Sequence, residues 1–290
     1  MRPTSEAVSS GSPTGPARMP GSFSLVLPAH NEEENIAIVV ADALATLPAF
    51  ADPFEVIVVD DGSRDRTGEI IDALAREDAR VVPVHHPVNQ GYGGALRTGF
   101  KTATGDHVMF IDADRQFDIA DIALLTSFVR DFDVVAGFRR ERNDPLIRRV
   151  NAEVFNVVVR ALFGIHLRDI DCAFKIFRGD LLRSIDLSAP GALINTEMQA
   201  KLRRRGATVQ QVAVNHYPRV AGTATGGNPT VILRAMRETI NLFVEMHSGE
   251  LGEGERRRGP VRIVVDTASA AGEFGAKVVS HLTKRGSVRR

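Results

Sequence analysis

Three short apolar runs, each cut off by polar or acidic residues, constrain how this chain can fold. Phe23–Pro28 ends in Ala29-His30-Asn31, Glu55–Val59 in Asp60-Asp61-Gly62-Ser63, and Val108–Ile111 in Asp112-Ala113-Asp114. Each reads as a buried strand, because a short apolar run bounded by turn residues buries both faces. Helical spacing follows the first run, placing Ile36, Val39, Val40, Ala43, Leu44 and Leu47 on one face. Glu32, Glu33 and Glu34 read as its first turn, where acidic side chains favour the helix dipole. Further strands are expected at Val81–His85, Val134–Gly137, Ile176–Arg178 and Val209–Tyr217. Further helices are expected at Thr67–Arg76, Ala95–Thr102, Asp121–Arg130, Asn151–Phe163, from about Glu197 to Arg205, and at Pro229–Met246. Alternating strands and helices joined by short loops imply an α/β fold, a mostly parallel sheet flanked by helices.

Ligands of such sheets bind outside the carboxyl ends of the strands. The acidic turns fall there. Asp112 and Asp114, one residue apart in an extended segment, point to the same side. Together they can offer oxygens to one hard divalent cation, and carboxylates suit Mg²⁺ or Mn²⁺. Such an ion would bridge to a diphosphate. Asp60 and Asp61 repeat the pattern one crossover earlier and can accept hydrogen bonds from a base or ribose. Asn89-Gln90-Gly91-Tyr92-Gly93-Gly94 is either a glycine loop at the same edge or a tight turn feeding a helix.

Other features carry two readings each. Arg139, Arg140, Arg142, Arg148 and Arg149 form either a solvated basic surface or a clamp on phosphate oxygens. Glu197 either complements a helix dipole or supplies a base. The Pro229–Met246 helix gathers Ile232, Leu233, Met236, Ile240, Phe243 and Val244 on one face, to pack on the domain or rest on a membrane surface. Cys172, the one cysteine, excludes an intrachain disulfide and a multi-cysteine zinc site, and agrees with a reducing compartment. Lys plus Arg and Asp plus Glu both number 36, so no global charge points to nucleic acid. No apolar run approaches the about 20 residues needed to span a bilayer. Residues 1–21, rich in Pro, Ser and Gly, read as a disordered leader, and 248–290 as a polar linker with a basic tail.

Seven blocks, taken in order, resemble the family 2 glycosyltransferases of GT-A fold. More narrowly they resemble the branch that includes dolichyl-phosphate mannosyltransferase and other polyprenyl-phosphate glycosyltransferases. The blocks are Leu27–Ile36, Val59–Asp65, Asn89–Ala95, Asp112–Gln116, Gly137–Arg139, Asp171–Lys175 and Arg219–Thr223. His30 stands where the family commonly has Tyr, Arg115 where it has Leu, and Ala173 where Gly is frequent. The resemblance covers about Ser24–Phe243 and implies a transferase domain over 22–247.

It also implies roles. Pro28, Ala29, Asn31, Glu32, Asp60, Asp61 and Ser63 would line the nucleotide pocket, with Gly91 and Ala113 beside it. Asp112, Asp114 and Gln116 would contact the metal and diphosphate. Arg139, Arg149 and Arg219 would bind phosphates, and Asp171 would close the sugar site. The expected reaction moves mannose or glucose from GDP-mannose or UDP-glucose to a polyprenyl or dolichyl phosphate, with inversion. Alternatives are a family 2 enzyme with a hydroxyl acceptor, using Asp171 or Glu197 as base, and a nucleotide-sugar-binding subunit without turnover. A cytoplasmic protein is expected. It would reach any lipid acceptor at the membrane's cytoplasmic face through a partner subunit or the amphipathic helix.

Overall fold

A computed structural model describes residues 18–140, 155, 157–217 and 229–248. It divides into two compact units, Met1–Phe243 and Val244–Arg290. The first holds a seven-stranded sheet. Its strands are β1 (Phe23–Ala29), β2 (Phe54–Asp60), β3 (Val81–His85), β4 (His107–Phe110), β5 (Val134–Arg139), β6 (Lys175–Arg178) and β7 (Val209–Val214), in the order β3-β2-β1-β4-β6-β5-β7. All are parallel except β6, which runs against both β4 and β5. The α/β architecture expected from the sequence is the one observed.

This topology positions the site. Ala29 is level with Asp60, and Val26 with Phe110, so three polar turns leave the sheet at one edge. Arg139 ends β5 at that edge. Because β6 is reversed, the loop that precedes it, Asp169–Phe174, arrives at the same edge. The core beneath is apolar: Leu25, Leu27, Val56, Val58 and Met109 are inaccessible to solvent. Burying each such side chain contributes about 1.5–3 kcal/mol. Phe100, Phe110 and Phe177 pack ring on ring, with Phe110 and Phe177 stacked at 6.2 Å.

The helices are α1 (Ile36–Thr46), α2 (Thr67–Glu77), α3 (Tyr92–Thr102), α4 (Ile122–Thr126), α5 (Gly179–Arg183), α6 (Ile194–Arg204) and α7 (Pro229–Ser248). Residues 157–163 are also helical, ending at Gly164, whose φ is +65°. Several expectations change in detail. Glu32–Glu34 precede α1 instead of opening it, and Glu32 and Glu33 bond across to the next loop. The Asp121–Arg130 helix shrinks to α4, entered through a 3-10 turn that the Asp118 side chain caps. Strand β5 continues to Arg139. Helix α3 begins at Tyr92, so Gly93 and Gly94 form its first turn. Among the described side chains of α7, Thr239 and Leu242 are buried, with Phe243 half-buried edge-on to Phe163. Ile240 and Val244, placed on the apolar face from the sequence, are exposed. Among the described residues no helix is long and apolar enough to cross a membrane.

Candidate active site

The wall at β1 and β2 is two loops laced together. The Asn31 N–H donates to Ser63 Oγ at 3.0 Å, and the Arg64 N–H donates back to Asn31 Oδ1 at 2.8 Å. The Glu32 N–H donates to Thr67 Oγ1, and the Arg66 N–H to Glu33 Oε2. Asn31 has a φ of +56°, a left-handed conformation that Asn tolerates better than most residues. Within this wall the two aspartates differ. Asp60 has both oxygens committed inward, Oδ1 to the Ser63 N–H and Oδ2 to His85. Asp61 accepts on Oδ1 from the Gln90 N–H at 2.8 Å and bonds His86 Nδ1 there at 2.7 Å. No described residue bonds Asp61 Oδ2. His86 is itself held by Thr98 Oγ1 at 2.8 Å on its other nitrogen. Sequence reasoning missed His85 and His86. The signal was present: two histidines end β3 where two aspartates end β2, and Asp60 pairs with His85 in register.

The metal-binding expectation falls on the turn after β4. Asp114 is buried and its Oδ1 accepts from the Gln116 N–H at 3.1 Å. Arg115 takes a φ of +60° to close that turn, a conformation costing roughly 1–2 kcal/mol outside glycine. Gln116 also donates from Nε2 to the Tyr217 carbonyl at 3.4 Å. Asp112 Oδ1 accepts from the Tyr92 hydroxyl at 2.9 Å. Burial pushes the Tyr92 phenol well above its ordinary pKa, and the charges of Asp112, Asp171 and Asp114 push it further. Of these carboxylates, Asp112 is the one bonded to the hydroxyl. In the sequence Tyr92 falls within a glycine loop, with no local signal for its bond to Asp112.

The donor set is oxygen-rich and suits a hard cation. No group of three His, Cys, Asp or Glu side chains among the described residues closes into a metal cage. Mg²⁺-type sites use one or two carboxylates and leave coordination positions for substrate phosphates. Asp112 and Asp114 are the residues that would hold the ion.

Opposite lies the Asp169–Phe174 loop. Arg139 donates to Asp169 from Nε at 2.6 Å and from Nη2 at 2.9 Å. Burial opposes the guanidinium charge, but the Asp169 carboxylate more than offsets this and raises its pKa. Lys175, with no exposed surface, donates to the Ile170 and Cys172 carbonyls and fastens the loop from below. Burial lowers the Lys175 pKa and pushes the Cys172 thiol up to about 12, making it a packed, inert side chain as expected. Asp171, the next residue along, is exposed. Arg148, Arg149 and Arg219 lie outside the described residues.

Glu197, the other candidate base, is wholly buried. It accepts from the N–H and Oγ of Ser188, the Ala189 N–H, and Lys201 Nζ. Burial raises its pKa, but the bonds from Lys201, Ala189 and Ser188 prevail and lower it. A separate cavity of about 400 Å³ lies on the α1 side, lined by Val39, Asp42, Thr46, Arg115, Phe117 and Tyr217 among others. None of the expected site residues lines it.

Comparison with known proteins bears on family and fold. The Glycosyl transferase family 2 model matches residues 24–186. Glycosyltransferase AglD of Haloferax volcanii is 35% identical over 206 residues, 68% of this chain and 33% of that protein. The undecaprenyl-phosphate 4-deoxy-4-formamido-L-arabinose transferase of Pectobacterium atrosepticum is 31% identical over 166 residues, 57% of this chain and 51% of that protein. The chain thus spans between about a third and a half of these relatives' length. Among solved structures, glucosyl-3-phosphoglycerate synthase from Mycobacterium tuberculosis, in complex with Mn²⁺, UDP and glucosyl-3-phosphoglycerate, superposes with a TM-score of 0.60. Identity there is 23%, covering 78% of this chain and 80% of that one, a likeness of fold. Family model, relatives and sheet topology agree that the chain belongs to glycosyl transferase family 2 and carries its GT-A fold.

Proposed function

We propose that residues 22–247 form an inverting, metal-dependent transferase that moves a sugar from a nucleotide diphosphate donor to a polyprenyl phosphate. The observation that carries this reading is the turn after β4, where Asp112 bonds the Tyr92 hydroxyl and buried Asp114 stands two residues on, at the sheet edge that also bears the Asp60–Ser63 wall. The undecaprenyl-phosphate transferase relatives support a lipid phosphate acceptor. The UDP-glucose and Mn²⁺ complexes of the structural neighbours support a UDP-sugar with a divalent ion, and GDP-mannose is the alternative donor.

The residues divide the work. Asp61 Oδ2 accepts an N–H of the base, while Asn31, Glu32 and Ser63 shape the pocket around it. Asp112 and Asp114 hold the ion, with Gln116 at the turn's end. A bound Mg²⁺ or Mn²⁺ supplies electrostatic stabilisation of the departing diphosphate. Arg139 faces the phosphates, with Arg149 and Arg219 proposed beside it. An acceptor phosphate oxygen forms the new bond to the anomeric carbon on the face opposite the diphosphate. The old carbon–oxygen bond breaks and its electron pair leaves with the nucleoside diphosphate. A phosphate monoester, with a second pKa of about 6, is largely ionised at neutral pH, so no proton has to move. The engagement of Glu197 supports this choice, since a hydroxyl acceptor would need a base. Asp171 then serves the sugar site.

The test is a phase-partition assay with labelled UDP-glucose or GDP-mannose, Mg²⁺ or Mn²⁺, and undecaprenyl or dolichyl phosphate. Label should enter the organic phase and stop doing so on chelation. Label confined to water for every pair, with nucleotide still bound, would move the assignment to a hydroxyl acceptor or a subunit without turnover.

A further inference from the structure

Glu197 sits in a run of buried polar residues on α6. Asn195 Oδ1, Thr196 Oγ1 and Gln199 Nε2 are buried there without a partner. Glu197 by contrast meets four donors, and three of them belong to the loop at Ser188 and Ala189. A buried carboxylate is tolerated only when so paired, and the pairing fixes the loop's backbone. Arg97 of α3 grips that loop from the other side, donating to the Ser188 carbonyl at 2.7 Å. The Pro190 carbonyl then accepts from the Gly93 N–H at 2.8 Å.

The contact is too close for any side chain. A Cβ at Gly91 would lie 2.5 Å from the Pro190 carbonyl oxygen, and one at Gly93 would overlap the Ala189 carbonyl oxygen. Gly91 also has a φ of +83°. Between these two glycines stands Tyr92, whose hydroxyl is bonded to Asp112. An unbroken line of contacts thus runs from Glu197 through the 188–190 loop to Tyr92 and Asp112.

We propose that Glu197 is a positioning residue: by fixing the 188–190 loop it seats Tyr92 on Asp112 and so sets the carboxylate that would meet the metal-bound diphosphate. This rests on the metal and nucleotide reading of the site given above. Partners that orient a ligating side chain are worth about 10- to 100-fold in metal affinity or activity.

Titration calorimetry of UDP, and of GDP, with Mn²⁺ tests it without turnover. Glu197→Gln should weaken the Mn²⁺-dependent binding by about 10- to 100-fold, and Tyr92→Phe by a similar or smaller factor. Because both act on one contact, the double variant should lose no more than the worse single one. Wild-type binding in Glu197→Gln with turnover lost would overturn the inference and make Glu197 a base. Losses that multiply in the double variant would overturn it too, since Glu197 would then act independently of Tyr92. If Glu197→Gln does not fold, Arg97→Ala loosens the same loop from α3 and must show the same non-additivity with Tyr92→Phe. If the wild type binds neither nucleotide with Mn²⁺, the site reading itself fails, an outcome distinct from a variant that binds as the wild type does.

Discussion

Asp169 holds the guanidinium of Arg139 with both carboxylate oxygens, joining the end of β5 to the loop before β6. Arg139 is thereby fixed, and no described residue bonds its Nη1. Side-chain exposure is 18% for Arg139 and 5% for Asp169, so removing one partner strands a buried charge. Asp169→Ala should lose about 3–5 kcal/mol of stability in denaturant titration. Arg139→Lys should not restore transfer, because an ammonium lacks the planar fork. A loss below about 1 kcal/mol for Asp169→Ala would show that the pair does not organise this edge.

Asp114 makes a second prediction. Its Oδ1 closes the turn to the Gln116 N–H, a contact worth about 1 kcal/mol. In Asp114→Ala the fold should persist by circular dichroism while transfer falls by at least about 100-fold, as for other losses of charge stabilisation at a reacting centre. Chelation should release nucleotide from the wild type and change nothing in the variant. Unchanged turnover in Asp114→Ala would remove this residue from the metal.

The sheet was legible because its signal is local: apolar runs of strand length, each ended by Asp, Asn or Gly. The edge where the site forms followed from the parallel topology those runs imply. What escaped was contact between segments distant in sequence. The Arg139 side chain reads as a free cation until the reversal of β6 carries Asp169 beside it. Glu197 is an acidic residue in the first turn of a helix, and only folding brings Ser188 and Ala189 over it. His86 looks like the end of a strand until Asp61 arrives from the neighbouring one. The Tyr92-Gly93-Gly94 stretch was read as a loop because glycine weakens helices. The packed loop at 189–190 outweighs that cost and needs the glycines for its own backbone.

Gly93 makes that last point testable. Gly93→Ala places a methyl group on the Ala189 carbonyl oxygen, a backbone atom with nowhere to move cheaply. Overpacking of this kind costs about 1–3 kcal/mol. A Cβ at Gly191, by contrast, would meet nothing within 4 Å. Gly191→Ala should leave thermal stability unchanged or slightly raised, through a less flexible unfolded chain. Equal melting temperatures for the two variants would refute the close-packed seam between α3 and this loop.

His85 gives a pH-dependent prediction whose sign follows from its partners. Nδ1 faces Asp60 Oδ2 at 3.2 Å and Nε2 faces Asp72 Oδ1 at 3.0 Å. A neutral imidazole has one N–H, so donating to both carboxylates requires the cation. Burial works against that charge, but the bonds to Asp72 and Asp60 prevail and raise the pKa. A pKa raised by folding means that the stabilisation is fully present below the unfolded value of about 6.5. It disappears as pH rises through the higher folded value. The side chain is 39% exposed, so solvent screening keeps the effect small. Denaturant midpoints of wild type and His85→Gln should therefore differ most below about pH 6.5 and converge as pH rises above it. The difference should shrink in high salt. A gap that widens with rising pH would mean that His85 is neutral in the folded protein and that one of the two carboxylates is not its partner.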